Sequence, residues 1–299
     1  MTISFQFGWE VLLIQYLQGI IGNSPLLVSI ISMFSSLASA EMSVFIICFF
    51  YWSYNRKIGL HLAMSLLFSS CTNSLIKNLF LRNRPYFVNE EIECLRPVEP
   101  EFDINDMAKQ GYSFPSGHAN NIASLIYTLY SEFKNKHVLY IGNIIIFLVA
   151  LSRVVLGVHY PSDVLVGIFI GFISILFIQY MLKHFDKKIT YIFLVIFCGL
   201  GVFYCDSNDY FSTYGLLCGF VLADLFNDKY NDFSNTDNIL RGLIRLVCGF
   251  ALFLIVNTVL KKIFNTDSYY IRSLRYAINS FIIIGIYPLL FKYNIFKFK

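Results

Sequence analysis

Residues 138–183 read VLYIGNIIIFLVALSRVVLGVHYPSDVLVGIFIGFISILFIQYMLK, and this stretch decides the class of the protein. Two apolar blocks, 138–156 and 163–183, flank a short bridge carrying Arg153, His159, Pro161 and Asp163. Each block has the length a helix needs to cross a hydrocarbon core of about 30 Å. The bridge interrupts the apolar pattern with residues that have chemistry of their own.

Comparable blocks recur on both sides, at 39–54, 58–80, 118–132, 189–205, 211–226, 242–260 and 274–291. Residues 6–37 are apolar but broken by Gly19, Gly22, Asn23 and Pro25. They read as two short interfacial or re-entrant helices, with one tilted span as the alternative. Of the 299 residues, 57% are hydrophobic and 14% charged, and the mean hydropathy is +0.61. Soluble domains carry about 25% charged residues. The predicted fold is therefore all-α, a polytopic helical membrane protein with a six-helix core and about three extra C-terminal transmembrane helices. Its expected parts are 1–38, the N-terminal helices; 39–205, the core; and 206–299, the C-terminal addition.

Composition also excludes some classes. The formal charge of +4 comes with no dense Lys/Arg stripe, which argues against nucleic acid as a partner. Most of the seven cysteines sit within apolar blocks and none forms a CxxC pair, so they read as small core side chains. The opening MTISFQFGWE lacks a basic region and carries Glu10, unlike a cleavable signal peptide. If the polar 81–116 connection lies outside the cytoplasm and the spans alternate, the cytoplasmic side gathers the larger share of Lys and Arg, with Lys261, Lys262, Arg272 and Arg275 as exceptions. That orientation is the expected one.

Three polar stretches then fall on the same membrane side. Lys77-Asn-Leu-Phe-Leu-Arg-Asn-Arg84-Pro85 closes one span. Its Lys77 and Arg84, seven residues apart, are expected on one helical face, with Pro85 stopping the helix. Pro115-Ser116-Gly117-His118 opens another. There Ser116 suits an N-cap, Gly117 permits close approach of a ligand, and the first-turn N–H groups attract anions. In the 152–163 bridge, Pro161 suits the first turn of a helix, so Asp163 is expected to reach back to one nitrogen of His159 and fix its tautomer. The other nitrogen is left to attack. Arg153 adds a planar cation matched to two phosphate oxygens. A His-x-x-x-Asp metal site is the alternative, but the chain offers no further ligands at suitable spacing. Three cations, a helix N-terminus and two histidines suit phosphoryl transfer. Binding alone would need only the cations, so His118, His159 and Asp163 favour an enzyme over a transporter or lipid-binding protein.

The three stretches resemble the K-x6-RP, PSGH and SR-x5-H-x3-D motifs of the type 2 phosphatidic acid phosphatase superfamily, over roughly residues 39–185. The resemblance implies that His159 attacks phosphorus to give a phosphohistidine, assisted by Asp163. It implies that His118 protonates the leaving oxygen and later activates water. Lys77, Arg84, Ser116, Gly117 and Arg153 would hold the phosphate oxygens, and no metal or cofactor is implied. Substrates expected from it are lipid phosphates or polyprenyl diphosphates, reached from membrane lipid at the extracytoplasmic face of the cell membrane. A lipid-to-lipid phosphotransferase and a sugar-phosphate phosphatase are the alternatives. The 81–116 connection holds Glu90, Glu91, Glu93, Glu99, Glu101, Asp103 and Asp106, and reads either as a solvated loop or as a lid disfavouring soluble anions. In the last third, Asp224 lies in an apolar stretch, with Arg241 or Arg245 as expected partners, and Gly215 and Gly219 are spaced for close helix contact.

Overall fold

The computed structural model describes residues 5–96, 111–231, 233–236, 238–264 and 268–292. Among them all regular structure is helical. In chain order the helices are α1 (Gly8–Ile21), α2 (Pro25–Ser36), α3 (Ala40–Phe49), α4 (Arg56–Phe80), α5 (Pro85–Val88), α6 (Gly117–Phe133), α7 (Lys136–Val155), α8 (Pro161–His184), α9 (Lys187–Gly199), α10 (Asn208–Tyr230), α11 (Ile239–Ile263) and α12 (Tyr269–Phe281). A π-helical turn, Phe50–Tyr54, extends α3, and another, Ile282–Ile286, extends α12. Every apolar block of the sequence is a helix. Several of them are bounded by side chains that suit helix ends: Ser24 caps α2 with Pro25 in its first turn and Asn135 caps α7, while Lys134 closes α6 in the left-handed region at φ 52°.

Helices α7, α8 and α11, and the stretch Tyr269–Phe291, are each long and apolar enough to cross a membrane. On α7 the outward row is Tyr140, Ile141, Ile144 and Phe147, all about 60% exposed. A soluble protein hides such a stripe; here it faces outward because lipid is its solvent and the helix satisfies its own backbone. The chain is an integral multi-pass membrane protein. Residues 6–37 form two short helices, α1 and α2, separated where Gly22, Asn23 and Pro25 break the pattern.

The chain divides into two compact units. The first takes in Met1–Ser43 and Thr72–Leu176. Its centre joins Ile14 of α1, Ile92, Ala119 of α6, Val154 of α7, and Tyr160 and Val164 at the start of α8. Ala38 packs beside Ile122, Ala123, Ile146 and Val149 in a neighbouring cluster. Of the acidic connection, Glu99, Glu101, Asp103 and Asp106 lie outside the described residues, whereas Glu91 accepts from Gln15 Nε2 at 2.6 Å.

The second unit takes in Val44–Cys71 and Phe177–Lys299. Small residues let α10 and α12 touch backbone to backbone: a Cβ on Gly215 would sit 2.1 Å from Ser273 O, and one on Gly219 2.2 Å from Ala277 O. Asp224 has partners other than those expected. Its Oδ1 accepts from Tyr51 Oη at 2.7 Å and Arg56 Nη2 at 2.8 Å; its Oδ2 accepts from Lys187 Nζ at 2.7 Å and Tyr191 Oη at 2.8 Å. Arg245 instead donates to Trp52 O at 2.7 Å and Ser234 O at 3.1 Å, and stacks on Phe291. Arg245 therefore serves backbone carbonyls, while the cations opening α4 and α9 meet the acid. Removing one member of a buried charge cluster costs about 3–5 kcal/mol. Asp224→Ala, which strands four donors, is expected to lower the melting temperature of the purified protein by several degrees. An unchanged melting curve would show that the cluster does not stabilise the fold.

Candidate phosphate-binding site

All eight residues singled out by the three motifs lie in the first unit. Lys77 sits on the last turn of α4, and its Nζ donates to Tyr112 O at 3.1 Å. The expected continuous helix from Lys77 to Arg84 is absent. Leu81 turns left-handed, with φ 48°, and ends α4 before Arg84. Arg84 becomes the N-cap of α5, and Pro85 starts that helix instead of stopping the previous one. The break turns Arg82 inward and leaves Arg84 facing two loops. Its Nε donates to Gly111 O at 3.0 Å and its Nη1 to Val158 O at 3.3 Å.

Ser116 caps α6 as expected, accepting from the Ala119 N–H at 3.5 Å. Its own N–H donates to Asp163 O at 2.9 Å, which ties the start of α6 to the start of α8. Gly117 and His118 open α6, both half-buried. Arg153 ends α7 with 2% exposure, and its Nη1 donates to the Ser35 hydroxyl of α2.

The bridge to α8 then folds back over Arg153: the Gly157 N–H donates to Val154 O at 3.0 Å and the His159 N–H to Arg153 O at 3.3 Å. Gly157 has φ 72°, and a Cβ there would sit 2.3 Å from Glu93 O, so a glycine is required on both counts. This return delivers His159, 2% exposed, into the same space as Arg153.

Asp163 is fully buried in the first turn of α8. Its Oδ2 accepts from the Tyr160 N–H at 2.8 Å and from the Ser113 hydroxyl, and its Oδ1 accepts from Arg82 Nη1 at 2.6 Å. Oδ2 also lies 3.6 Å from His159 Nδ1, close to it but beyond hydrogen-bond length, and Nδ1 has no hydrogen-bond partner among the described residues. Such contacts are often long in unliganded enzymes and tighten when the charged state forms.

Electrostatics unify the group. Burial pushes the His159 imidazole well below its ordinary value, and the charges of Arg84, Arg153 and Lys77 push it further, so it is neutral at neutral pH. The same three cations and His159 lie within electrostatic reach of His118. Three cations and two histidines gathered in this way can receive an anion with several oxygens.

Sequence reading passed over Arg82, Ser113, Glu10 and Ser35. Arg82 lies inside the quoted Lys77–Pro85 stretch, and Glu10 is a charged residue among the apolar side chains of α1. Both signals were present, since an acid within an apolar helix usually has a partner.

Residues 58–187 match the PAP2 superfamily, and residues 211–295 match the transmembrane extension of PAP2 superfamily phosphatases. Phosphatidylglycerophosphatase B of Bacillus subtilis is 36% identical over 107 residues, 32% of this chain and 50% of the relative. Undecaprenyl-diphosphatase of Sulfolobus acidocaldarius is 34% identical over 126 residues, 42% of this chain and 55% of the relative. The chain thus spans about half the length of these curated relatives. The crystal structure of Aquifex aeolicus LpxE aligns with a TM-score of 0.49 and 24% identity, over 59% of this chain and 98% of that one. With its three motifs gathered in one unit and both of its regions matched, the chain belongs to the PAP2 superfamily, the type 2 phosphatidic acid phosphatases that the motifs resemble.

Proposed function

We propose that this protein is a metal-independent membrane phosphatase that hydrolyses lipid phosphate or lipid diphosphate esters through a phosphohistidine, at the extracytoplasmic face of the cell membrane. One arrangement carries the reading: His159 is buried within electrostatic reach of Lys77, Arg84 and Arg153, and burial with those charges pushes its imidazole toward the neutral form. Cations alone would bind phosphate; an unprotonated imidazole among them supplies a nucleophile.

The steps follow from the positions. The phosphoryl oxygens rest on Lys77, Arg84 and Arg153 and on the first-turn N–H groups behind Ser116 and Gly117. His159 Nε2 forms the N–P bond as the P–O bond to the leaving group breaks, and His118 gives its proton to the departing oxygen. The ring becomes cationic, and Asp163, 3.6 Å from Nδ1, stabilises it. Water then attacks phosphorus and passes a proton to His118, the N–P bond breaks, and inorganic phosphate leaves. The N-terminal helices, the 39–205 core and the 206–299 addition are the parts we assign to this enzyme. The names of the relatives, a phosphatidylglycerophosphatase and an undecaprenyl-diphosphatase, support a lipid as the group released. So does the membrane setting of the site.

The test is phosphate release by purified protein in detergent, with EDTA present, across phosphatidate-type, phosphosphingoid and polyprenyl diphosphate lipids and a soluble sugar phosphate. Turnover of a lipid at least tenfold above the sugar phosphate is expected. Turnover of the sugar phosphate alone overturns the lipid reading, and phosphate moved to a second lipid instead of water makes the protein a phosphotransferase.

A further inference from the structure

Arg82 is fully buried, and each part of its guanidinium has a partner. Nε donates to Phe5 O at 2.9 Å, and Nη1 to Asp163 Oδ1 at 2.6 Å and the Ser162 hydroxyl at 2.7 Å. Nη2 donates to Glu10 Oε2 at 2.8 Å. The plane lies between the rings of Phe5, 4.2 Å away, and Tyr160, 4.0 Å away. Glu10, also fully buried, uses its second oxygen to accept from the Ser162 N–H at 2.8 Å, the residue before Asp163. One carboxylate of α1 therefore holds both the arginine that grips Asp163 and the backbone beside it.

The charge count explains why an acid is there. A lone Arg82–Asp163 pair would be neutral, and the guanidinium would absorb the carboxylate's charge. With Glu10 sharing that guanidinium, the Glu10–Arg82–Asp163 triad carries one net negative charge. That charge faces the ring on which the reaction places a positive one. We propose that Glu10 and Arg82 are positioning residues: Arg82 fixes the Asp163 carboxylate against His159 Nδ1, and Glu10 preserves the negative charge that stabilises the phosphorylated imidazole. Neither touches the phosphate. The inference rests on the phosphohistidine reading above and deepens it.

The two roles separate in kinetics. An interaction made only when the ring becomes cationic changes kcat and leaves binding alone, whereas general loosening of the site changes both. Glu10→Gln keeps the shape and an acceptor for the Ser162 N–H but removes the charge. It is expected to lower kcat tenfold or more, with KM and the inhibition constant of inorganic phosphate within twofold of wild type. Glu10→Asp, which restores the charge on a shorter arm, is expected to recover part of that loss. Arg82→Lys keeps one cation but not the fork, and is expected to lose kcat like Glu10→Gln.

Glu10→Gln with wild-type kcat, alongside an inactive His159→Ala protein, overturns the positioning role alone. A joint loss of kcat, KM and phosphate inhibition in Glu10→Gln, without recovery in Glu10→Asp, shows packing only and overturns it too. Wild-type protein that releases no phosphate from any lipid tested overturns the phosphatase reading and the positioning role with it.

Discussion

His159→Ala abolishes phosphate release, with an expected loss of about 10⁵-fold or more, the scale seen when a covalent nucleophile is deleted. The site around it remains, since Arg84 and Arg153 are held by loop carbonyls and Ser35 rather than by the ring. The variant is therefore expected to bind inorganic phosphate with near-normal affinity while turning nothing over. Acid quenching during turnover should trap an acid-labile phosphoenzyme in the wild type and none in the variant. Activity within tenfold of wild type would remove His159 from the chemistry and point to direct attack by water.

In the proposed mechanism the same residue sets the acid side of the pH profile. There its neutral form attacks, and burial with Arg84, Arg153 and Lys77 favours that form over the imidazolium. Protonation is thus postponed to lower pH. The acid limb of kcat/KM should fall below the ordinary imidazole value of about 6.5.

Asp163→Asn is expected to be the second most damaging change, by about 10³–10⁴-fold in kcat, as when an orienting carboxylate becomes its amide in a His-dependent nucleophilic site. The amide keeps the shape and can still accept from the Tyr160 N–H. However, its NH2 would face either Arg82 or the Ser113 hydroxyl, both of which now donate to the carboxylate. The charge facing Nδ1 disappears as well. Combining it with Glu10→Gln should add little, because Glu10 acts only through that charge. A double variant with the product of the two single losses would place Glu10 in an independent role. Residual activity of a tenth or more in Asp163→Asn would show that the ring needs no anionic partner.

Much of this was legible in the chain. Blocks such as 138–156 and 163–183 became α7 and α8 because a segment without polar partners has no other stable form in lipid. The site was legible for the opposite reason: Lys77, His118 and His159 interrupt apolar runs at sites where solvation alone would not select them. Partner choice was not. Asp224 meets Arg56 and Lys187, far away in sequence, rather than Arg241 or Arg245, because helix packing decides which cation arrives. The helix expected to run to Arg84 stops at Phe80, since Arg82 has more to gain from two buried carboxylates than from another helical turn. Local propensity carries no record of a bond made across 72 or 81 positions.

The N-terminal helices reach the motifs at several points: Glu10 on Arg82 and on the Ser162 N–H, Gln18 Nε2 on Val155 O at 3.0 Å, and Ser35 on Arg153. Yet the region shared with the superfamily begins at residue 58. For anyone grafting catalytic cassettes between relatives, the transferable part is consequently discontinuous. A graft joined at residue 58 would carry every motif residue and leave behind the braces that hold two of their arginines. The first forty residues have to travel with it.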